Sequence, residues 1–261
     1  MTTHTVSMPF GDVPVTVKRN GEGDPVLLLH GGAGDQSVAG FAGLLAERSR
    51  RTLVPVHPGF GGTPRPEGLD SIRTLAEVYG RLLDELDLRR VTVIGSSIGG
   101  WVAAELALVA GERLAALVLL DAAGLDSAEH PVADFFSLTL DEVADLSYAD
   151  PDAHRIDLSA MTGEQKRIGA GNRDALRVYG GTAMADPSLR ERLADITVPT
   201  LVVWGEADRM MTPEYGREYA AAIPGARFHV LPKAGHLPQI EAPGALLELV
   251  EEFTANATTA S

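Results

Sequence analysis

Six short apolar runs recur along the chain without polar alternation, at residues 25–29, 52–56, 91–94, 117–120, 201–204 and 228–231. Runs that are apolar on both faces belong to central strands of a parallel sheet covered by helices. Ahead of them, residues 5–10 and 13–18 read as two β-strands joined around Gly11-Asp12, and Val13, Val15 and Val17 alternate as in a half-buried strand. Asn20-Gly21 supplies the next turn. Helical periodicity lies between the runs. Over residues 71–86 it places Ile72, Leu75, Ala76, Val78, Tyr79, Leu82, Leu83 and Leu86 on one stripe, opposite Arg73, Glu77, Arg81 and Asp84. Residues 98–110 and 245–253 also read as helices. Strand and helix alternate, so the class is α/β with right-handed crossovers.

One stretch breaks this rhythm. Residues 125–188 contain no convincing buried strand, only short helical pieces, with capping-box patterns at Thr139/Glu142 and Thr162/Gln165. The expected organisation is a core of residues 1–124 and 189–261, with 125–188 inserted as a helical cap over the sheet.

Composition narrows the function classes. The 261 residues include 22 basic and 36 acidic side chains, a formal charge of −14. Such a surplus repels phosphate backbones and argues against nucleic-acid binding through a broad basic face. There is no cysteine, which excludes disulfides, a thiolate nucleophile and cysteine-ligated metals. No segment has the length of an apolar membrane span, and the first residues carry no signal-peptide pattern, so the cytoplasm is the expected location. The small polar tail, residues 254–261, is expected to fray.

Four places carry chemistry. Gly95-Ser96-Ser97-Ile98-Gly99-Gly100 follows one buried strand and opens a helix. Glycines at such a corner let the backbone turn sharply enough to lift Ser97 clear of the sheet, with Ser96 as its neighbour and rival. A dinucleotide-binding reading fails, because the position of Ser97 would then be glycine. His30-Gly31-Gly32-Ala33-Gly34 follows another strand, where clustered glycines expose backbone N–H groups. Asp208, in Trp204-Gly205-Glu206-Ala207-Asp208, and His236, in Gly235-His236-Leu237-Pro238, follow two later strands. Taken singly, an Asp after a strand is commonly a turn residue and a His after a Gly is commonly solvated. Together, all lie at carboxyl ends of parallel strands, where open α/β sheets build their sites.

These motifs, with His57-Pro58-Gly59-Phe60-Gly61-Gly62-Thr63, resemble the α/β-hydrolase fold superfamily, in its capped form, over nearly the whole chain. The chain order Ser97, Asp208, His236 is the order that arrangement requires. The resemblance implies a mostly parallel eight-stranded sheet flanked by helices. It also implies Ser97 as nucleophile, His236 as general base and acid, Asp208 as the carboxylate behind it, and an oxyanion hole from the Gly32 and Ile98 N–H groups. Asp121, just past another strand, is the alternative acid, and His57 reads as structural or rim-lining. Neither an organic cofactor nor a metal is expected, and the partner is a small molecule.

The elbow serine is unlike the aspartate of haloalkane dehalogenases and epoxide hydrolases that share this fold. Gly32 stands where cofactor-free haloperoxidases carry an aromatic residue. Hydrolases of ring-fission dienols are similar in overall pattern but carry Asn and Trp at the positions of Ser96 and Leu237. The expected reaction is therefore hydrolysis of a carboxylic ester. Carbon–carbon cleavage of a ring-fission product is the alternative, and a non-catalytic ligand receptor on the same fold is a third reading. Phe135, Phe136, Leu138, Leu140, Ile156, Leu158 and Met161 are candidates for an apolar cavity under the cap. Arg155, Lys166, Arg167, Arg173 and Arg177 could meet a substrate carboxylate or simply face solvent.

Overall fold

Every apolar run forms a strand. The computed structural model describes residues 1–259. Its strands, in chain order, are β1 (Thr2–Met8), β2 (Gly11–Asn20), β3 (Asp24–Leu29), β4 (Arg50–Val56), β5 (Val91–Ser96), β6 (Leu114–Leu120), the two-residue β7 (Gly124–Leu125) and β8 (Ala185–Asp186), β9 (Thr200–Gly205) and β10 (Arg227–Leu231). Eight of them form one sheet, in the order β1-β2-β4-β3-β5-β6-β9-β10. The first two pairings, β1 with β2 and β2 with β4, are antiparallel and the rest are parallel.

The helices are α1 (Gln36–Glu47), α2 (Ile72–Glu85), α3 (Ile98–Ala110), α4 (Leu140–Ser147), α5 (Gly163–Gly180), α6 (Leu189–Leu193), α7 (Pro213–Ala221), α8 (Pro238–Glu241) and α9 (Pro243–Thr259). The strands feed two cores in alternation. Leu27, Leu29, Leu117 and Leu119 pack with α2, α3 and α7, whereas Val26, Leu28, Val118 and Leu120 pack with α1 and α9. Strands buried on both faces are mostly apolar, which is why the inner runs lack alternation. The run at 228–231 is not central as expected, because β10 closes one edge of the sheet with Arg227 and His229 exposed. Among the described residues, no helix is long and apolar enough to cross a membrane.

Four further local readings change. The β1–β2 turn is Pro9-Phe10 rather than Gly11-Asp12, since Met8 already pairs with Gly11, whose φ of 126° suits only glycine. The tail is ordered further than its composition suggests: α9 continues to Thr259, pinned where Arg50 donates to Glu251 at 3.0 Å and to Thr254 at 3.2 Å. Of the tail, Ala260 and Ser261 lie outside the described residues. Within residues 125–188, α5 is an 18-residue helix rather than a short piece. The ends of this stretch also pair in parallel, Gly124 and Leu125 with Ala185 and Asp186, too briefly to leave a sequence pattern.

Both capping boxes form, at Thr139/Glu142 and Thr162/Gln165. Helix α5 lies over the carboxyl edge of the sheet. Asn172 accepts from the Gly61 N–H at 2.9 Å, and the Tyr179 hydroxyl donates to Pro58 O at 2.8 Å.

Candidate active site

The corner between β5 and α3 is built by glycines that nothing else could replace. A Cβ on Gly95 would stand 2.2 Å from Gly99 O, one on Gly99 2.4 Å from Leu29 O, and one on Gly100 2.6 Å from the Ala122 Cβ. The helix therefore starts hard against the sheet. Ser97 bridges strand and helix at φ 56° and ψ −120°, a backbone region that non-glycine residues rarely adopt. Its N–H donates to Leu120 O at 2.9 Å and its carbonyl accepts from Ala123 at 3.1 Å, so neighbouring backbone holds the strained residue in place.

Two loops from the far side of the sheet converge on it. His236 follows β10, with Nε2 2.9 Å from Ser97 Oγ and Nδ1 2.8 Å from Asp208 Oδ2. Asp208 follows β9, and its other oxygen accepts the N–H groups of Met210 at 2.8 Å and Met211 at 3.1 Å. Both loops depend on close backbone contact, since a Cβ on Gly205 would come within 1.9 Å of Gly235 O. The acid and the imidazole are almost fully buried, 2% and 7% exposed.

Asp121 lies beside them. It is buried after β6, one oxygen accepts the Gly205 N–H at 2.9 Å, and the other has no hydrogen-bond partner. Ligand atoms of Asp121, Asp208 and His236 lie within 4.8 Å of one another. Burial, and next the charge of Asp208, push the Asp121 carboxyl well above the usual carboxylate range.

The glycine loop closes the other side. A Cβ on Gly31 would sit 3.2 Å from the Ser97 Cβ, and one on Gly32 would sit 3.1 Å from the Leu176 side chain on α5. Ile98 is the first residue of α3, so its N–H has no acceptor within the helix and stands at the positive end of the dipole. Ser96 points elsewhere: it is wholly buried, and its hydroxyl accepts from Gln239 Nε2 at 3.2 Å.

Residues 26–249 match the family model described as the alpha/beta hydrolase family. The chain belongs to that family. Among relatives of this alpha/beta hydrolase, a 2-hydroxy-6-oxo-2,4-heptadienoate hydrolase of Pseudomonas putida is 30% identical, covering 94% of each chain. A pimeloyl-[acyl-carrier protein] methyl ester esterase of Aeromonas salmonicida is 29% identical, over 92% of this chain and 98% of its own. In structure, it is similar to a thermophilic esterase from Thermogutta terrifontis, with a TM-score of 0.71, 26% identity and coverage of 98% and 99% of the two chains.

Two residues of the hydrolase's site region are not at its rim. The rings of His30 and His57 lie 3.8 Å apart, tilted by 37°, beneath the glycine loop, and both are buried. His30 Nδ1–H donates to Gly31 O at 2.7 Å, and the His57 backbone N–H donates to His30 Nε2 at 3.0 Å. His57 Nε2–H in turn donates to His30 O at 2.9 Å, leaving Nδ1 to accept the Tyr79 hydroxyl at 2.5 Å. Every ring nitrogen is used, which sets both tautomers as neutral and ties the ends of β3 and β4 under Gly31-Gly32. The readable signal was a histidine at the carboxyl end of each of two neighbouring strands.

Burial lowers the His30 pKa to about 4 and carries that of His57 well below its ordinary value. Their stabilising contribution is full above the unfolded value near 6.5 and is lost as pH falls towards the folded one. For His30 alone the loss between pH 7 and 5 is about 2 kcal/mol. Asp121, with its raised value, works in the opposite direction, so the rings must be read individually. Ring nitrogen shifts in an NMR titration are expected to show His30 neutral at pH 5.5, with a midpoint near pH 4. A midpoint near the ordinary value would show that the buried network does not hold it neutral.

The basic residues of the 125–188 stretch are mostly engaged. Arg155 pairs with Asp141, Asp145 and Asp152, and Arg167 pairs with Glu164. Arg173 lies over the Phe135 and Phe136 rings and donates to both their carbonyls at 3.0 Å. Of the expected cavity residues, Leu140, Ile156 and Leu158 are exposed at 42%, 55% and 48%. The side chains of α5 that reach the glycine loop are Leu176, beside Gly32, and Asn172, beside Gly34, and Leu176 sits at a helical spacing that reads equally well as core.

Proposed function

We propose that this hydrolase cleaves a carboxylic ester of a small, largely apolar substrate through an acyl-enzyme on Ser97. The observation that supports it most is the unbroken line of hydrogen bonds from Ser97 Oγ through both His236 nitrogens to Asp208, with Ser97 raised on its strained corner. Ser97 Oγ attacks the acyl carbon and its proton passes to His236 Nε2. The carbonyl π electrons move onto oxygen, where the Gly32 and Ile98 N–H groups receive the developing charge. As the tetrahedral adduct collapses, the C–O bond to the leaving alcohol breaks and His236 returns the proton to that oxygen. Water then repeats the sequence, with His236 as base, and releases the acid and Ser97. Asp208, accepting from Nδ1, keeps the imidazole in the tautomer whose Nε2 can take the serine proton. Residues 125–188 serve as the lid, with α5 and Leu176 above the glycine loop.

Labelling by a fluorophosphonate probe, which needs an activated serine, tests the reading. Stoichiometric labelling of the parent and none of Ser97→Ala is expected. An unlabelled parent would favour a ligand receptor on this scaffold.

Similarity to the Pseudomonas putida dienoate hydrolase favours a second reaction, carbon–carbon cleavage by the same three residues. That chemistry must also move a proton within a dienol and hold its carboxylate. Ser96 cannot supply either service, since it is buried against Gln239. Ester cleavage asks only for an acyl carbonyl within reach of Ser97 and the two N–H groups. On one preparation, kcat/KM for a short-chain nitrophenyl ester is expected to exceed that for a ring-fission dienol at least tenfold, about 1.4 kcal/mol in transition-state binding. A preference for the dienol would reverse the assignment.

A further inference from the structure

The lid helix α4 ends on the two loops that carry Asp208 and His236. The last carbonyls of a helix have no intrahelical partners and must find others. Here the partners come from beside the reacting residues. The His236 backbone N–H donates to Ser147 O at 2.6 Å, and the Arg209 N–H donates to Leu146 O at 2.9 Å. The Arg209 guanidinium donates to Tyr148 O at 3.2 Å and also to Asp145 O. Approach is so close that a Cβ on Gly235 would stand 2.2 Å from Ser147 O.

One carboxylate closes this junction. Glu241, the last residue of α8, accepts the Gly235 N–H on Oε2 at 2.7 Å. Its Oε1 accepts the N–H groups of Ala149 at 2.9 Å and Asp150 at 3.3 Å, just beyond α4. Three backbone donors, one from the His236 loop and two from the lid, thus converge on one half-buried charge. Hydrogen bonds to an ionised acceptor are roughly twice as strong as neutral ones.

We propose that Glu241 is a positioning residue that couples the lid to His236, an inference that rests on the serine-hydrolase reading. Only a two-oxygen acceptor can satisfy both sides at once. With it in place, the residue preceding His236 and the end of α4 move as one body, and the imidazole stays in line with Ser97. Without it, Gly235, Ala149 and Asp150 turn their N–H groups to water. The lid end then loosens, and His236 loses its fixed approach. A side-chain amide keeps one acceptor oxygen but presents an NH2 group to the remaining N–H, so Glu241→Gln is an intermediate case.

The test compares the full-length parent, Glu241→Ala, Glu241→Gln and Ser97→Ala. It measures the second-order rate of fluorophosphonate labelling, kcat and KM on nitrophenyl acetate per labelled site, hydrogen exchange over residues 145–150, and Tm. Glu241→Ala is expected to label and turn over about 10- to 100-fold more slowly, the scale set by small misplacements of reacting groups. KM should change less than kcat, exchange over 145–150 should rise, and Glu241→Gln should recover part of the rate. A loss confined to Tm, with unchanged kcat per labelled site, overturns the proposal. So does faster lid exchange with labelling at the parental rate. If the alanine variant does not fold, a folded Glu241→Gln protein that labels at the parental rate overturns it equally. Failure of the parent itself to label would remove the hydrolase reading, and the coupling with it, whereas a labelled parent with unaffected Glu241 variants removes the coupling alone.

Discussion

Replacing Ser97 by alanine is expected to lower ester turnover by at least about 10⁴-fold while the protein stays folded, because the loss of a triad nucleophile typically costs that much. The structure separates the two effects cleanly. Alanine keeps the Cβ, so the backbone at φ 56° is no more strained than before, and the N–H and carbonyl bonds to Leu120 and Ala123 persist. What disappears is Oγ and its hydrogen bond to His236. Turnover on a nitrophenyl ester together with circular dichroism on the same sample checks both halves. Substantial activity in a folded variant would remove Ser97 from the chemistry. Ser96 could not then simply take over, because its hydroxyl is buried in the Gln239 contact on the inner side of the corner.

How far the fold could be read depended on whether burial left a periodic mark. The inner parts of β3, β5, β6 and β9 are sealed on both faces, so each shows as a short apolar run, broken in β5 only by the buried Thr92. Helix α2, half-exposed, shows as a stripe, and helices α4 and α5 announce themselves through side chains that cap their first turns. Helix α1 leaves a weaker mark: Val38, Phe41, Ala42 and Leu45 have helical spacing, but the interspersed glycines, Gly40 and Gly43, dilute it. The same holds for helix α7, because its buried face is made of Tyr215, Gly216, Tyr219 and Ala220 rather than of aliphatic residues.

The convergence of Ser97, Asp208 and His236 was legible because each lies in the loop that follows a parallel strand of one sheet, which leaves the three loops on one edge. Their support was not legible. Glu241 and Arg209 act on backbone groups at the end of α4, about 60 to 90 residues away in sequence. No local spacing marks a carboxylate whose partners are three amide hydrogens. The His30–His57 pair occupies a middle ground, since both positions were noticed while the buried tautomer network that joins them exists only in the folded chain.

Asp208 and Asp121 present two buried carboxyl groups near one imidazole, and substitution by asparagine is expected to rank them far apart. In Asp208, one oxygen takes the Met210 and Met211 N–H groups and the other takes His236 Nδ1–H. An asparagine there must turn its carbonyl oxygen to the two backbone donors, which aims its NH2 at Nδ1. The imidazole then shifts its proton to Nε2, where it faces Ser97 as a donor and can no longer act as base. Turnover should fall by roughly 10³–10⁴-fold with the fold retained, the scale known for the equivalent change in serine proteases. Burial and the Asp208 charge push the Asp121 carboxyl well above the usual carboxylate range, towards its neutral form, and one of its oxygens accepts from Gly205. Asparagine at that position preserves the neutral charge and the acceptor, so turnover is expected to stay within about threefold of the parent, the range of changes that disturb no reacting group by even 1 kcal/mol. Steady-state kcat values for the two variants on one ester decide the matter. A large loss in Asp121→Asn with a small one in Asp208→Asn would move the working carboxylate from the β9 loop to the end of β6.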